Sequence, residues 1–123
     1  MEFREKQAIY LQIADFICDN ILAKKYLPED KILSVRELAI KLEVNPNTVM
    51  RTYEYLQQQN IIYNKRGIGF FVSPDADDII IQFRKKQFFE TQLPDFFKTI
   101  QLLKIDINEI VEHYSFTNNQ IKN

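Results

Sequence analysis

The sequence predicts a mainly α-helical fold with a small β-hairpin: a winged helix-turn-helix followed by a short helical region. Three observations carry this expectation. A helix start at Ser34 is followed, after the turn Glu43-Val44-Asn45, by a second helix start at Asn45-Pro46. Two β-favouring runs, Ile61-Ile62-Tyr63 and Phe70-Phe71-Val72, flank a loop containing Gly67 and Gly69. Apolar residues then return to helical spacing beyond Ser73-Pro74-Asp75. The expected domains are therefore residues 1–74 and 75–123.

The first helix is expected from about Ala8 to Lys25. Ile9, Ile13, Phe16, Ile17 and Ile21 recur at three- and four-residue spacings and build one apolar stripe. Cys18 reads as a small, partly buried side chain on that helix, and Pro28 ends the run. In the second helix, Ser34 and Glu37 have capping-box spacing, and Leu38 and Leu42 face inward. In the third, Asn45 suits the N-cap and Pro46 the first helical position. Val49, Tyr53 and Leu56 form its buried seam, which ends near Asn60. Two short helices joined by a tight turn outline a helix-turn-helix, and a hairpin directly after them is a wing. In the wing, Lys65 and Arg66 are expected at the tip.

Beyond Pro74, Phe89, Leu93, Phe97 and Ile100 share one helical face, to which Ile80, Phe83, Phe88 and Phe96 add. Pro94 predicts a kink or a junction of two helices. A last helix is expected from Asp106, with Glu109 as its capping partner, fraying after about Phe116. Six of the 10 Phe follow Pro74, in a stretch too short for an independent core. These residues must pack on the winged domain, on a second copy of the chain, or on both. A ligand pocket between the helices is the sharper alternative.

Composition narrows function. With one Cys and one His, the Cys/His zinc patterns cannot be built. No Ser-His-Asp or Cys-His pairing and no phosphate-binding glycine loop occur, so catalysis has little to stand on and no cofactor or metal is expected. No run approaches the ~20 apolar residues of a membrane span. The first residues do not read as a signal peptide, and a lone cysteine fits a reducing cytoplasm. The net charge of -1 argues against a nonspecific nucleic-acid binder. Basic residues outnumber acids only ten to nine through Pro74, and trail six to eight afterwards. From Val44 to Val72, however, Arg51, Lys65 and Arg66 meet only Glu54, so any nucleic-acid surface is local.

The third helix begins with amide, hydroxyl and guanidinium groups that serve no core. Pointed into a major groove, Asn47 can pair with an adenine edge, and Thr48 can touch a thymine methyl or a phosphate. Arg51, one turn on, reaches a guanine edge or a phosphate. The bland alternative is that Asn45, Asn47, Thr48 and Arg51 merely cap and solvate a helix. Arg36 is placed to hold a phosphate beside that groove, or else forms a surface ion pair of little energetic worth. Lys65 and Arg66 are a minor-groove or phosphate candidate, or else a solvated turn. Their occurrence in this order within one small domain favours double-stranded DNA. His113 reads as partly exposed near a helix end.

The stretch SVRELAIKLEVNPNTVMRTYEYLQQQNIIYNKRGIGFFV resembles the GntR family of bacterial transcription regulators. With IYLQIADFICDNILAKKYLPEDKIL before it, the resemblance covers about half the chain. Ser-x-Arg-Glu-Leu-Ala, Val-Asn-Pro-Asn-Thr-Val and Arg-Gly-x-Gly-x-Phe-Val in that order make it specific. The Asn-Pro-Asn-Thr-Val form and the short helical tail are most similar to the YtrA-type subfamily. The resemblance implies a winged helix-turn-helix with a small helical dimerisation region. It implies DNA contacts for Arg36, Asn47, Thr48, Lys65, Arg66 and Gly67. The expected partners are a second copy of the chain on a palindromic operator and, if the C-terminal helices enclose a ligand, an unknown small-molecule effector. Many members carry basic residues where Pro46 and Met50 stand here, so their base preference does not carry over. The 49 residues after Pro74 are too few for the separate effector domain of larger relatives. The reading is a cytoplasmic, sequence-specific regulator, more in keeping with a repressor than an activator. A winged-helix module that binds protein and never DNA is the alternative from another class.

Overall fold

The computed structural model describes residues 1, 3 and 7–120 in full and the backbone of 121 and 122. Along the chain run α1 (Ile9–Leu22), α2 (Val35–Leu42), α3 (Pro46–Gln58), β1 (Ile62–Lys65), β2 (Gly69–Val72) and α4 (Ala76–Gln87). A π-helical turn (Phe88–Gln92), α5 (Leu93–Leu102) and α6 (Ile107–Lys122) follow. The chain forms two compact units, Met1–Phe83 and Arg84–Asn123.

The first unit is a winged helix-turn-helix. Its core joins Ile13, Ile17 and Ile21 of α1 to Leu38 and Ala39 of α2 and to Val49, Tyr53 and Leu56 of α3. Ile9, expected on the α1 stripe, is instead 44% exposed, one turn before that core begins. Cys18 is buried rather than partly buried. Ser34 and Glu37 make the reciprocal capping box, with bonds of 3.1 and 3.0 Å. Glu43 ends α2 in the left-handed region (φ 56°), so the chain reverses within a few residues before α3.

The hairpin is antiparallel, with Ile62 opposite Val72, Tyr63 opposite Phe71 and Lys65 opposite Gly69. The sequence does not betray that the segment before α2 lines its open edge. Glu29 N–H donates to the Val72 carbonyl (2.8 Å), Val72 N–H to the Asp30 carbonyl (2.9 Å), and Ile32 N–H to the Phe70 carbonyl (3.0 Å). These bonds satisfy backbone groups that a two-stranded wing would leave to solvent.

The first unit continues past Pro74 to Phe83. Ala76 and Ile80 sit in its core at 0% and 1% exposure, and Lys24 at the end of α1 pairs with Asp77. Ile80, grouped by periodicity with the dimerisation stripe, is therefore a core residue of the winged unit and no part of an exposed face.

In the second unit the chain around Pro94 widens into the π turn, where Leu93 N–H donates to the Phe88 carbonyl. Proline has no N–H to continue the normal ladder, and a wider turn accommodates that gap. Asp106 caps α6 by accepting from Asn108 N–H (2.8 Å), with Glu109 N–H on its carbonyl (2.9 Å). The helix extends past Phe116 to Lys122, and neither Gly nor Pro interrupts that stretch. Ile100 is buried, Leu93 half-buried, and Phe88, Phe89, Phe96 and Phe97 are exposed. Leu102, Leu103, Ile107, Val111, Tyr114 and Phe116 are exposed as well.

Candidate nucleic-acid interface

Helix α3 has two chemically distinct sides. Val49, Thr52, Tyr53 and Leu56 are buried, whereas Asn45, Asn47, Met50, Arg51 and Glu54 are exposed. Its seat is fixed by directional bonds as well as by apolar packing. Thr52 Oγ1 donates to the Tyr10 carbonyl at the start of α1 (2.8 Å). Tyr53 Oη donates to the Leu33 carbonyl (2.5 Å), and its ring meets Phe70 of the wing edge-on, with centroids 4.8 Å apart. Burial pushes the Tyr53 phenol well above its ordinary pKa, so it stays a neutral donor. One side chain thus ties α3 both to the strand-like segment and to the wing.

The Asn45 side-chain oxygen accepts from Asn47 N–H (2.8 Å), which makes Asn45 the N-cap and commits that oxygen to the helix start. The Asn47 side chain is exposed and Thr48 is half-buried. The Arg51 guanidinium lies over the Tyr10 ring, 4.1 Å from its centroid. Asn47, Thr48 and Arg51 together line a groove of ≈ 340 Å³ with Ala8, Ile9 and Tyr10. The structure therefore brings three of the sequence-derived candidates onto one surface with the start of α1.

Arg36 stands exposed on the first turn of α2 and lines none of that groove. On the wing, Lys65 is the last residue of β1 rather than part of the tip. Its ammonium sits 4.7 Å over the Phe71 ring, so the strand side chain folds back along the hairpin. Arg66, Gly67 and Ile68 form the tip, closed by Ile68 N–H on the Lys65 carbonyl (2.9 Å). Gly67 has φ 79°, and a Cβ there would meet nothing within 4 Å, so glycine is required for backbone conformation and not for space. At Gly69 a Cβ would come within 2.9 Å of Lys31 Cε.

Two residues of this surface escape sequence reasoning. Tyr10 lies off the α1 stripe, and an aromatic at a helix start carries no signal of its partner. Lys31 pairs with Phe71 through the backbone and lays its side chain beside Gly69, and its segment has no periodicity to reveal this. Among the described residues no group of three or more His, Cys, Asp or Glu is placed to hold a metal ion, and no helix is long and apolar enough to cross a membrane.

Comparison with known proteins assigns the scaffold. Residues 9–72 match the sequence profile of the bacterial regulatory proteins of the gntR family. The chain is 38% identical over 111 residues to the uncharacterised HTH-type transcriptional regulator YhcF of Bacillus subtilis, covering 90% of each. It is 37% identical over 79 residues to the HTH-type transcriptional repressor YtrA of the same organism, covering 64% of this chain and 61% of that protein. A solved GntR-family regulator from Bacteroides thetaiotaomicron is similar with a TM-score of 0.80 at 53% identity, covering 92% of this chain and 99% of that one. The chain belongs to the GntR family of bacterial regulatory proteins, which are DNA-binding transcriptional regulators and not enzymes.

Proposed function

We propose that this regulator is a homodimeric repressor that reads a two-fold symmetric operator in the cytoplasm. The observation that carries the reading is the two-sidedness of α3, rigidly seated on one side and polar and open on the other. Asn47 and Arg51 present hydrogen-bonding groups to base edges, and Thr48 meets a thymine methyl or a phosphate. Arg36, Lys65, Arg66 and the Gly67 backbone hold phosphates and fix register. Arg–guanine and Asn–adenine pairing are the geometries that these side chains favour.

The exposed apolar residues of the second unit support dimerisation. Phe88, Phe89, Phe96 and Phe97 left in water would cost heavily, because burying a Phe is worth roughly 1.5–3 kcal/mol. Two copies related by a two-fold axis would set recognition helices about 34–36 Å apart, or a multiple of that, along the duplex. The sign of regulation is supported by similarity to a relative named as a repressor.

Selection of binding sites from a random duplex pool, followed by gel-shift titration at two salt concentrations, tests this. Arg51→Ala is expected to lose about 1–3 kcal/mol of discrimination at one base pair per half-site. Lys65→Ala is expected to weaken binding to all sequences and to lower the salt slope by about 1 per phosphate contact removed. Failure of the parent to enrich any sequence at low salt would instead favour a protein-interaction module. A reporter placed behind the selected site should be more active without the protein; lower activity would make it an activator.

A further inference from the structure

The guanidinium of Arg51 is held by a residue outside the recognition helix. It lies over the Tyr10 ring, which is half-buried, while Arg51 itself is exposed. Tyr10 is in turn fixed from two directions. Its ring meets Tyr55 of α3 edge-on, with centroids 6.3 Å apart at 77°. Its carbonyl accepts from Thr52, the residue directly after Arg51 (2.8 Å). The start of α1 and the middle of α3 are therefore joined beside this arginine by a ring contact and a hydrogen bond.

Contact through the π face leaves the arginine's recognition chemistry intact. The attraction arises between the cation and the ring quadrupole and consumes none of the five N–H donors. A carboxylate partner would occupy the same fork that a guanine edge requires. Pinning also removes rotamer freedom before DNA arrives, so less entropy is lost on forming the contact. We propose that Tyr10 is a positioning residue for base recognition: its ring holds the Arg51 guanidinium at the groove-lining start of α3 and thereby sets how sharply one base pair is discriminated. This rests on Arg51 reading a base.

Parent, Arg51→Ala, Tyr10→Phe, Tyr10→Leu and the Arg51→Ala/Tyr10→Leu double variant are titrated against the operator selected by the parent. Each is also titrated against every single base-pair substitution of that operator. Arg51→Ala is expected to flatten discrimination at one base pair per half-site. Tyr10→Leu should weaken discrimination at that same base pair by roughly three- to tenfold while leaving the salt slope unchanged. Tyr10→Phe keeps the π face and should retain the parent's discrimination. The double variant should be no worse at that position than Arg51→Ala, because the ring acts only through the guanidinium.

Retained discrimination in Tyr10→Leu, with Arg51→Ala impaired, overturns the proposal and leaves the base-reading role of Arg51 standing. Unimpaired discrimination in Arg51→Ala overturns both. A uniform loss over all sequences with a shallower salt slope would make Tyr10 a phosphate contact and overturns the proposal. An equal loss in Tyr10→Phe would assign the effect to the hydroxyl and overturns it as well. Thermal unfolding of each variant monitors folding. Tyr10→Met, which refills the site with a flexible apolar chain, gives the same readout should Tyr10→Leu not fold.

Discussion

Residues Met1–Phe83 and Arg84–Asn123 contain similar kinds of apolar side chain and treat them in opposite ways. In the first unit Ile13, Ile21, Val49, Leu56 and Val72 are each completely buried, and even the large Tyr53 retains 1% exposure. In the second, Phe89, Leu102 and Phe116 remain 61%, 82% and 66% exposed, and among its described residues Ile100 alone is buried. The first sequence closes a core from helices and a wing that meet at several angles. The second has amphipathic helices whose apolar sides exceed what they cover in one chain. The difference teaches that periodicity announces an apolar face without announcing what covers it. A complete core supports a recognition surface, whereas an open apolar face calls for a second surface.

The largest expected effect separates the units by assembly. If the proposed dimer forms through this face, Phe89→Glu with Phe97→Glu places four charges in its two-fold interface and removes four Phe side chains from it. Dimer dissociation measured by sedimentation equilibrium should become at least about 100-fold easier, while the unfolding of the first unit is unchanged. An equally tight dimer would break the contrast and place the interface elsewhere.

Leu56→Ala tests the other side. Leu56 is at 0% exposure in the first unit's core, so chemical denaturation should register a loss of about 2–5 kcal/mol. Self-association should remain. A loss below about 1 kcal/mol would mean that the core collapses around the gap far better than its packing implies.

Smaller effects fall on the helix-turn-helix start. Ser34→Ala deletes the hydroxyl that caps α2 and should cost about 1 kcal/mol. The Glu37 carboxyl is held below its usual range first by the Ser34 backbone N–H and then by the Ser34 side chain. That hold is absent in the unfolded chain. Its contribution is therefore complete above the ordinary carboxylate pKa and disappears as pH falls through the lowered folded value. Ser34→Ala should flatten this acid limb in thermal melts taken across the acidic range, and Glu37→Gln should abolish it. An unchanged limb in Glu37→Gln would assign it to other carboxyls.

An effect of similar size is expected in the wing. Gly67→Ala meets no neighbour but must adopt φ 79°, so it should cost about 1 kcal/mol of stability. Gly69→Ala faces both strain and the Lys31 side chain, and should cost more. Differential scanning calorimetry of the two variants distinguishes them; equal losses would show that Lys31 swings aside freely.

Much of the first unit is legible in the sequence because its signals are local. The Ser34–Glu37 box, the Asn45-Pro46 start and the paired β runs each depend on residues a few positions apart, and the structure forms each one. The candidate groove is legible in part. Helix position alone points to Asn47, Thr48 and Arg51, but Tyr10 joins them across 41 residues of chain, and no local pattern encodes that meeting. Ile80 falls on the other side of the expected division because spacing identifies an apolar helix face and cannot say that this face closes the preceding core. The last turns of α6 lie beyond the apolar periodicity that marks the helix in sequence, so that pattern does not set where the helix ends.

The amino-acid sequence by itself determined where α2 and α3 begin, that a wing follows them, and that a few cations cluster locally on a near-neutral chain. These follow from hydrogen bonds, φ preferences and side-chain periods that act within a few residues. Only the tertiary structure decided that Glu29–Ile32 completes the wing, that α4 starts inside the first core, and that Tyr10 holds Arg51. Each of those depends on packing and backbone pairing between segments far apart in sequence, where a residue's role is set by the neighbours that folding delivers.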